Sequence, residues 1–242
     1  MKPILSIVIP TLNAKNSLQA TLDRLNEETI SWTSEIIVVD GGSKDGTTTI
    51  VTQNDCHLVR SPPGRGCQLG KGAEEAQGEW LLFLHADTLL SDNWQQSVSD
   101  FIQRKEAEHQ AAVFQYALNA EGKKARRIEK IVAWRCRLLA LPYGDQGLLI
   151  HRCLYDTLGG YRAIPLMEDV DLIRRIGRKR IHFLSARATT SAIRYERGGF
   201  TMRPLLHIVC LILFFIGVSP EIISKIYHRQ DQTSAASSIS GS

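Results

Sequence analysis

The chain has 242 residues, 43% of them hydrophobic and 22% charged, with 29 Lys and Arg against 25 Asp and Glu. That length and apolar content suit one generous α/β domain, and they exclude a disordered chain, a collagen-like or coiled-coil protein and a small disulfide framework. A formal charge of +4 admits an anionic ligand or a membrane surface without marking a nucleic-acid binder.

Ile4 to Ile9, Glu35 to Val39 and Trp80 to Leu84 are short apolar runs of strand length, rich in Ile, Val, Leu and Phe, as expected of strands covered on both faces. Between the first two, Leu18, Leu22 and Leu25 repeat as one helix face. Trp94, Val98, Phe101 and Ile102 repeat that spacing after the third, with Ser91 and Asp92 as candidate caps. Strand, helix, strand, helix predicts an α/β fold with a mostly parallel sheet flanked by helices. Ala111 to Leu118 reads as a further strand. Ile128, Ile131, Val132, Leu138 and Leu139 mark a helix whose other side carries Lys123, Lys124, Arg127 and Lys130, a solvated face.

Leu205 to Val218 is apolar apart from His207 and is shorter than the roughly 20 residues that cross a bilayer. It suits an in-plane membrane helix, a core or dimer helix or, less well, a span, and a second helical stretch follows it. Thr233 to Ser242, small and polar, is expected to be a disordered tail. Cys56, Cys67, Cys136, Cys153 and Cys210 are scattered and never spaced C-x-x-C, which argues for a reducing compartment and against a zinc site. The opening apolar run is broken by Pro10 and is too short for a signal peptide. A cytoplasmic protein is expected, with attachment to the inner membrane face left open.

Three polar clusters fall at predicted strand ends, where open α/β sheets gather their ligands. They are Pro10-Thr11-Leu12-Asn13, Asp40 to Thr47 and His85-Ala86-Asp87-Thr88. Asp40 suits a base NH or a ribose hydroxyl, and Gly41 and Gly42 allow close approach of a ligand. Asp45 and Thr47 suit either that role or the capping of the next helix. Asp87, at the tip of an apolar strand, suits a hard divalent cation shared with phosphate oxygens. The glycine-rich stretch Gly64 to Gly72 matches neither a dinucleotide fingerprint nor a P-loop, and its Arg65 and Lys71 are candidates to neutralise phosphate.

SIVIPTLN, VVDGGSKDGT and GEWLLFLHADT, in this order and all before residue 90, resemble family 2 glycosyltransferases of the GT-A, Rossmann-like fold. Tyr143 to Gly147, Gly159-Gly160-Tyr161 and Met167 to Asp171 are similar to that family's acceptor-side loop and acidic motif, so the resemblance runs over roughly residues 4 to 200. FLHADT and the Gly144 to Gly147 loop look more narrowly like bacterial glycosyltransferases grouped with arsenosugar biosynthesis. The resemblance implies a nucleotide-binding half over about 1–90 and an acceptor half over about 91–203, followed by C-terminal apolar helices over 204–230 and a tail over 231–242.

By the same resemblance, Thr11, Asn13 and Asp40 would hold the nucleoside and Asp87 would meet a divalent metal, Mn2+ or Mg2+; Pro10, Gly42, Ser43, Arg65 and Ala86 are further nucleotide-binding candidates, and a neutral His85 can still ligate the metal. Gly144, Asp145, Gln146 and Gly147 would shape the acceptor site. Asp169 would be the general base, with Glu168 and Asp171 as runners-up, and Arg194 would touch the diphosphate. His85 stands where the family has an acid, Gly41 replaces a second acid beside Asp40, and Ile193 replaces a basic residue beside Arg194.

The expected activity is inverting transfer of a sugar from a nucleotide diphosphate, UDP favoured and GDP open, to an acceptor hydroxyl. A non-catalytic sugar-nucleotide-binding or membrane-docking module is the alternative. A nucleotidylyltransferase is disfavoured because Thr11-Leu12-Asn13-Ala14 is no glycine-rich basic loop. A second copy of the chain and a membrane surface stand as open partners.

Overall fold

A computed structural model describes residues 2–27, 33–120, 144–191 and 202–227, together with 122, 126, 127, 129, 130 and 132. The first part is built of strand–helix units: β1 (Leu5–Thr11), α1 (Lys15–Asn26), β2 (Ser34–Asp40), α2 (Thr47–Gln53), β3 (His57–Arg60), α3 (Arg65–Glu75) and β4 (Trp80–Phe83). β5 (Thr88–Leu90), α4 (Trp94–Ile102), β6 (Ala111–Asn119) and β7 (Leu148–His151) follow. Then come α5 (Arg152–Thr157), α6 (Glu168–Ile176), β8 (Ile181–Ser191) and α7 (Met202–Phe215).

All eight strands join one sheet in the order β3-β2-β1-β4-β7-β6-β8-β5. β3, β2, β1 and β4 are parallel, as the alternation of strands and helices requires. β7 enters antiparallel between β4 and β6, with Phe83 opposite Leu148, so the chain arriving at β7 meets the rim where β4 leaves. β6 and β8 run parallel to each other, with a register shift between Val113 and Gln115. The sheet is mostly parallel and flanked by helices on both faces, as expected.

Alternating side chains divide the core. Leu5, Ile7, Ile9 and Val38 pack with Leu18, Leu22, Val98 and Phe101 from α1 and α4. Val8, Ile37 and Val39 pack with Leu69, Ala73, Val170 and Leu172 from α3 and α6. Complete burial of each such Leu or Ile contributes about 1.5–3 kcal/mol, more than a typical helix cap, so packing sets where these helices lie. α1 has no side-chain cap of its own. Its first amides are met by the next loop instead: Ala14 N–H donates to Thr47 Oγ1 (2.9 Å) and Lys15 N–H to Asp45 Oδ2 (3.0 Å).

Three local features add to the sequence reading. The glycine-rich stretch after Gly64 is helical, because Gly72 lets α3 lie directly on the sheet; a Cβ there would sit 2.3 Å from Val8 Cγ1. Neither Ser91 nor Asp92 caps α4, whose first flanking residue is Asn93. Ser91 Oγ accepts from Arg187 N–H and so joins α4 to β8, while Asp92 pairs with Arg24 at 2.6 Å. Lys71 is a surface residue paired with Glu74 and Glu75 and plays no part in the strand-end rim.

The apolar C-terminal segment packs on the core along one side. Leu206, Cys210 and Leu211 of α7 are buried with Ile223, from a further helical stretch over 220–227, in the same cluster as α3 and α6. Among the described residues no helix is long and apolar enough to cross a membrane. Most of the predicted helix around Ile128 to Leu139, and the tail from Thr233, lie outside the described residues.

Candidate active site

The exits of β2, β1 and β4 are neighbours, with Thr11 in register with Asp40. The first two polar clusters interlock there. Buried Asp40 accepts from Thr11 Oγ1 (3.3 Å), Gly42 N–H (3.0 Å) and Ser43 N–H (2.9 Å). Asn13 N–H donates to Ser43 Oγ (2.8 Å), and Asn13 Oδ1 accepts from Lys44 N–H (2.9 Å). Asn13 has φ +53°, a left-handed conformation that asparagine tolerates better than most residues. Asp45 accepts from the Thr47 hydroxyl, which holds its carboxyl below the usual range; the next helix, α2, has Gly46 at its N-cap with no side-chain cap, and the pair receives the first amides of α1 instead. Ala86 is buried, with its carbonyl accepting from Thr21 Oγ1 of α1 at 3.0 Å.

The third cluster opens onto a hollow. Arg65, His85, Asp87, Gly144, Asp145 and Asp169 all line it, so the two carboxylates singled out for metal and base duty face one cavity. Asp169, in the first turn of α6, accepts from Gly144 N–H at 2.8 Å, which ties it to the loop before β7. Buried Gln146 anchors the same loop by donating to the Phe114 carbonyl (3.1 Å). Position 144 leaves no room for a side chain: a Cβ would lie 2.8 Å from His85 Nε2 and 3.4 Å from Asp169 Oδ2. Just before α6, Met167 adopts φ +69°, a costly conformation for a non-glycine residue, and its place beside the site fits the clustering of such strain where geometry must be held.

Arg65, at the start of α3, links the pieces. Its Nε is ion-paired with buried Glu168, and its Nη1 donates to His85 Nε2 at 3.0 Å. His85 therefore accepts at Nε2. Burial works against the charge of Arg65, but Glu168 and Asp169 more than offset it and push its pKa up. Burial likewise raises the Glu168 pKa, with Arg65 as the main opposing influence. Glu168 does not line this hollow, whereas Asp169 does; Glu168 borders a smaller cavity with Arg65, His85, Gly144 and Asp169. Asp171 is held between Arg175 (2.6 Å) and Arg162 (3.2 Å) and does not line it either.

A resident divalent cation would have to fit these donors. No group of three His, Cys, Asp or Glu side chains able to hold an ion occurs among the described residues. Mg2+ and Mn2+ in phosphate sites take one or two carboxylates and draw the remaining oxygens from substrate and water. Asp87 on the hollow fits that sparse kind of site, with His85 and Asp169 lining the same hollow.

The sequence reading missed Gln68, which is buried and donates from Nε2 to the Thr11 (2.8 Å) and Val39 (2.7 Å) carbonyls, tying α3 to the ends of β1 and β2. It also missed Tyr116 and Thr190, from β6 and β8, and His207 and Tyr227, from the C-terminal helices, which line the same hollow. His207 and Tyr227 stack at 5.7 Å between ring centres. The one available signal was His207 itself, the lone polar residue in an apolar run. Tyr143 and Arg194 lie outside the described residues.

A sheet of this order, with acidic residues from separate units gathered at its strand-end rim, is the architecture of a GT-A glycosyltransferase. The chain belongs to glycosyl transferase family 2, whose model matches residues 6–164.

Similar proteins include a PGL/p-HBAD biosynthesis glycosyltransferase of Mycobacterium bovis (strain BCG / Pasteur 1173P2), 36% identical over 95 residues, covering 36% of this chain and 37% of that protein. An uncharacterized glycosyltransferase of Rickettsia typhi (strain ATCC VR-144 / Wilmington) is 35% identical over 94 residues, covering 38% of this chain and 29% of that protein. The match thus spans little more than a third of these relatives' length at most.

Among solved structures, Staphylococcus aureus TarS 1-349 in complex with UDP-GlcNAc aligns with TM-score 0.60 and 21% identity, over 78% of this chain and 59% of that one. The mannosyltransferase PcManGT from Pyrobaculum calidifontis, in complex with GDP-Man and Mn2+, aligns with TM-score 0.60 and 15% identity, over 100% of this chain and 76% of that one. At these identities the likeness is one of fold.

Proposed function

We propose that the protein transfers a sugar, with inversion, from a nucleoside diphosphate donor to an acceptor hydroxyl. The observation that carries this reading is the meeting of Asp87 and Asp169, distant in sequence, on one hollow. Thr11, Asn13, Asp40, Gly42 and Ser43 form the rim beside it and would seat the nucleoside, while Arg65 would meet the diphosphate. Asp87 would hold a divalent cation, with His85 beside it; such a cation stabilises charge gathering on a leaving diphosphate without proton transfer.

Asp169, held by Gly144 N–H, would accept the acceptor's proton as its oxygen attacks the anomeric carbon from the face opposite the diphosphate. Glu168 would act through Arg65, keeping the guanidinium charged and aimed. Gly144 to Gly147 would border the acceptor, with residues 1–90 serving the donor and 91–203 the acceptor. The structural neighbours' complexes with UDP-GlcNAc and GDP-Man support a nucleotide-sugar donor, and we favour UDP. The narrower likeness to arsenosugar-type enzymes rests on FLHADT and the Gly144 to Gly147 loop.

The test is donor turnover with uridine and guanosine diphosphate sugars and Mn2+. Wild type is expected to release nucleoside diphosphate. Asp169→Asn is expected to lose about 100- to 10,000-fold in rate while nucleoside diphosphate still raises its melting temperature. Undiminished turnover in Asp169→Asn overturns the base assignment. Binding without turnover of any donor by wild type would leave the non-catalytic module standing.

A further inference from the structure

The two C-terminal helical stretches have a side that the core does not use. Leu205, Ile208, Val209, Ile212 and Ile216 recur at the spacing of one helix face and are exposed, Ile212 at 54% and Ile216 at 70%. Ile222 and Ile226 extend the stripe at i and i+4 in the next stretch, also exposed. Soluble surfaces rarely carry an apolar stripe of this length without a use for it.

Its fringe is basic. Arg174 lies over the Phe214 and Phe215 rings, at 5.6 and 4.9 Å from their centres, at the end of α7. Arg178, Lys179 and Arg180 come four to six residues after Arg174 in the chain and are exposed, and Lys225 stands exposed between Ile222 and Ile226. Glu221 is the acid in that second stretch.

We propose that this face docks the protein in the plane of an anionic lipid bilayer. An apolar stripe too short to span, edged by cations, is the pattern of an in-plane helix whose side chains enter the acyl boundary while its lysines and arginines meet lipid phosphates. The charge pattern favours this occupant over a second copy of the chain, because a two-fold contact presents the same patch from both sides and would gather the two basic fringes together. The helical stretches that carry the stripe also supply His207 and Tyr227 to the hollow, so docking brings the hollow within about one helix diameter, roughly 10 Å, of the headgroups.

The experiment is co-sedimentation of the full chain with phosphatidylcholine vesicles, with and without one third phosphatidylglycerol. Binding is expected to the anionic vesicles and to weaken at high salt, which screens the basic fringe. Ile212→Glu/Ile216→Glu and, separately, Lys179→Glu/Arg180→Glu are each expected to lower partitioning at least about tenfold. Both should keep wild-type donor turnover in vesicle-free buffer and wild-type melting.

Absence of binding to anionic vesicles overturns the docking face, as does equal binding by all three proteins. A wild-type dimer in solution that Ile212→Glu/Ile216→Glu converts to monomer also overturns it, in favour of self-association. Loss of turnover in wild type would fall on the transferase reading alone.

Discussion

On the β1–β2 side of the site, the polar groups face one another: Asp40 takes three hydrogen bonds, Asn13 bridges to Ser43 and Lys44, and Asp45 grips both Thr47 and the start of α1. On the β6–β8 side the hollow is lined by Tyr116 and Thr190 from two strands and by His207 and Tyr227, stacked on each other, from the C-terminal helices. The first rim is held by its own hydrogen bonds before any ligand arrives, which suits the donor-binding role proposed for it. The second is assembled from strand ends and late helices, which suits a part that must vary with the acceptor. Arg65 links Glu168 to His85 at this hollow.

Removing that link should have the largest effect. Arg65→Gln leaves Glu168 buried without its cation, and a loss of about 3 kcal/mol is expected at pH 7, taken at the low end because Arg65 is partly exposed. The sign with pH follows from the raised Glu168 pKa. Protonation favours the folded state of such a group, so the deficit should shrink as pH falls through that pKa and return as pH rises. Urea unfolding of wild type and variant at several pH values measures this, and a deficit growing toward acid contradicts it.

Asp40→Ala, confined to the first rim, should cost about 2 kcal/mol in urea unfolding and weaken nucleotide-induced thermal shifts. If stability falls while the nucleotide shift is unchanged, Asp40 is scaffold alone. Gly144→Ala should cost only about 1 kcal/mol, since the loop can shift by tenths of an ångström, yet slow transfer about tenfold or more by pushing on His85 and Asp169. Equal rates for variant and wild type would separate this loop from the chemistry. Lys71→Ala, outside both rims, should stay within about 0.5 kcal/mol of wild type with unchanged kinetics.

What was legible in the sequence follows this division. Strands at Ile4, Glu35 and Trp80 and the clusters after them were visible because short-range patterns encode them: apolar runs, then turn residues. The sheet between β4 and β6 was not, because an antiparallel insertion by a four-residue strand such as Leu148–His151 leaves no periodic trace. Nothing in the sequence marks α3 as a helix, because its glycines serve close packing on Val8, a tertiary reason that overrides helix propensity. The Arg65–Glu168 pair and Gln68 were hidden because their partners lie far along the chain. His207 was noticed but could not be placed without the helix's orientation.

Met167 bears on how such a protein tolerates engineering. Exchanging it for glycine would relieve about 1–2 kcal/mol of left-handed strain, but it would give the unfolded chain more freedom and loosen the turn that aims Asp169. A gain in ease of folding there would be a loss in aim, so searches for hardier variants should leave this residue alone and work on the far side of the sheet.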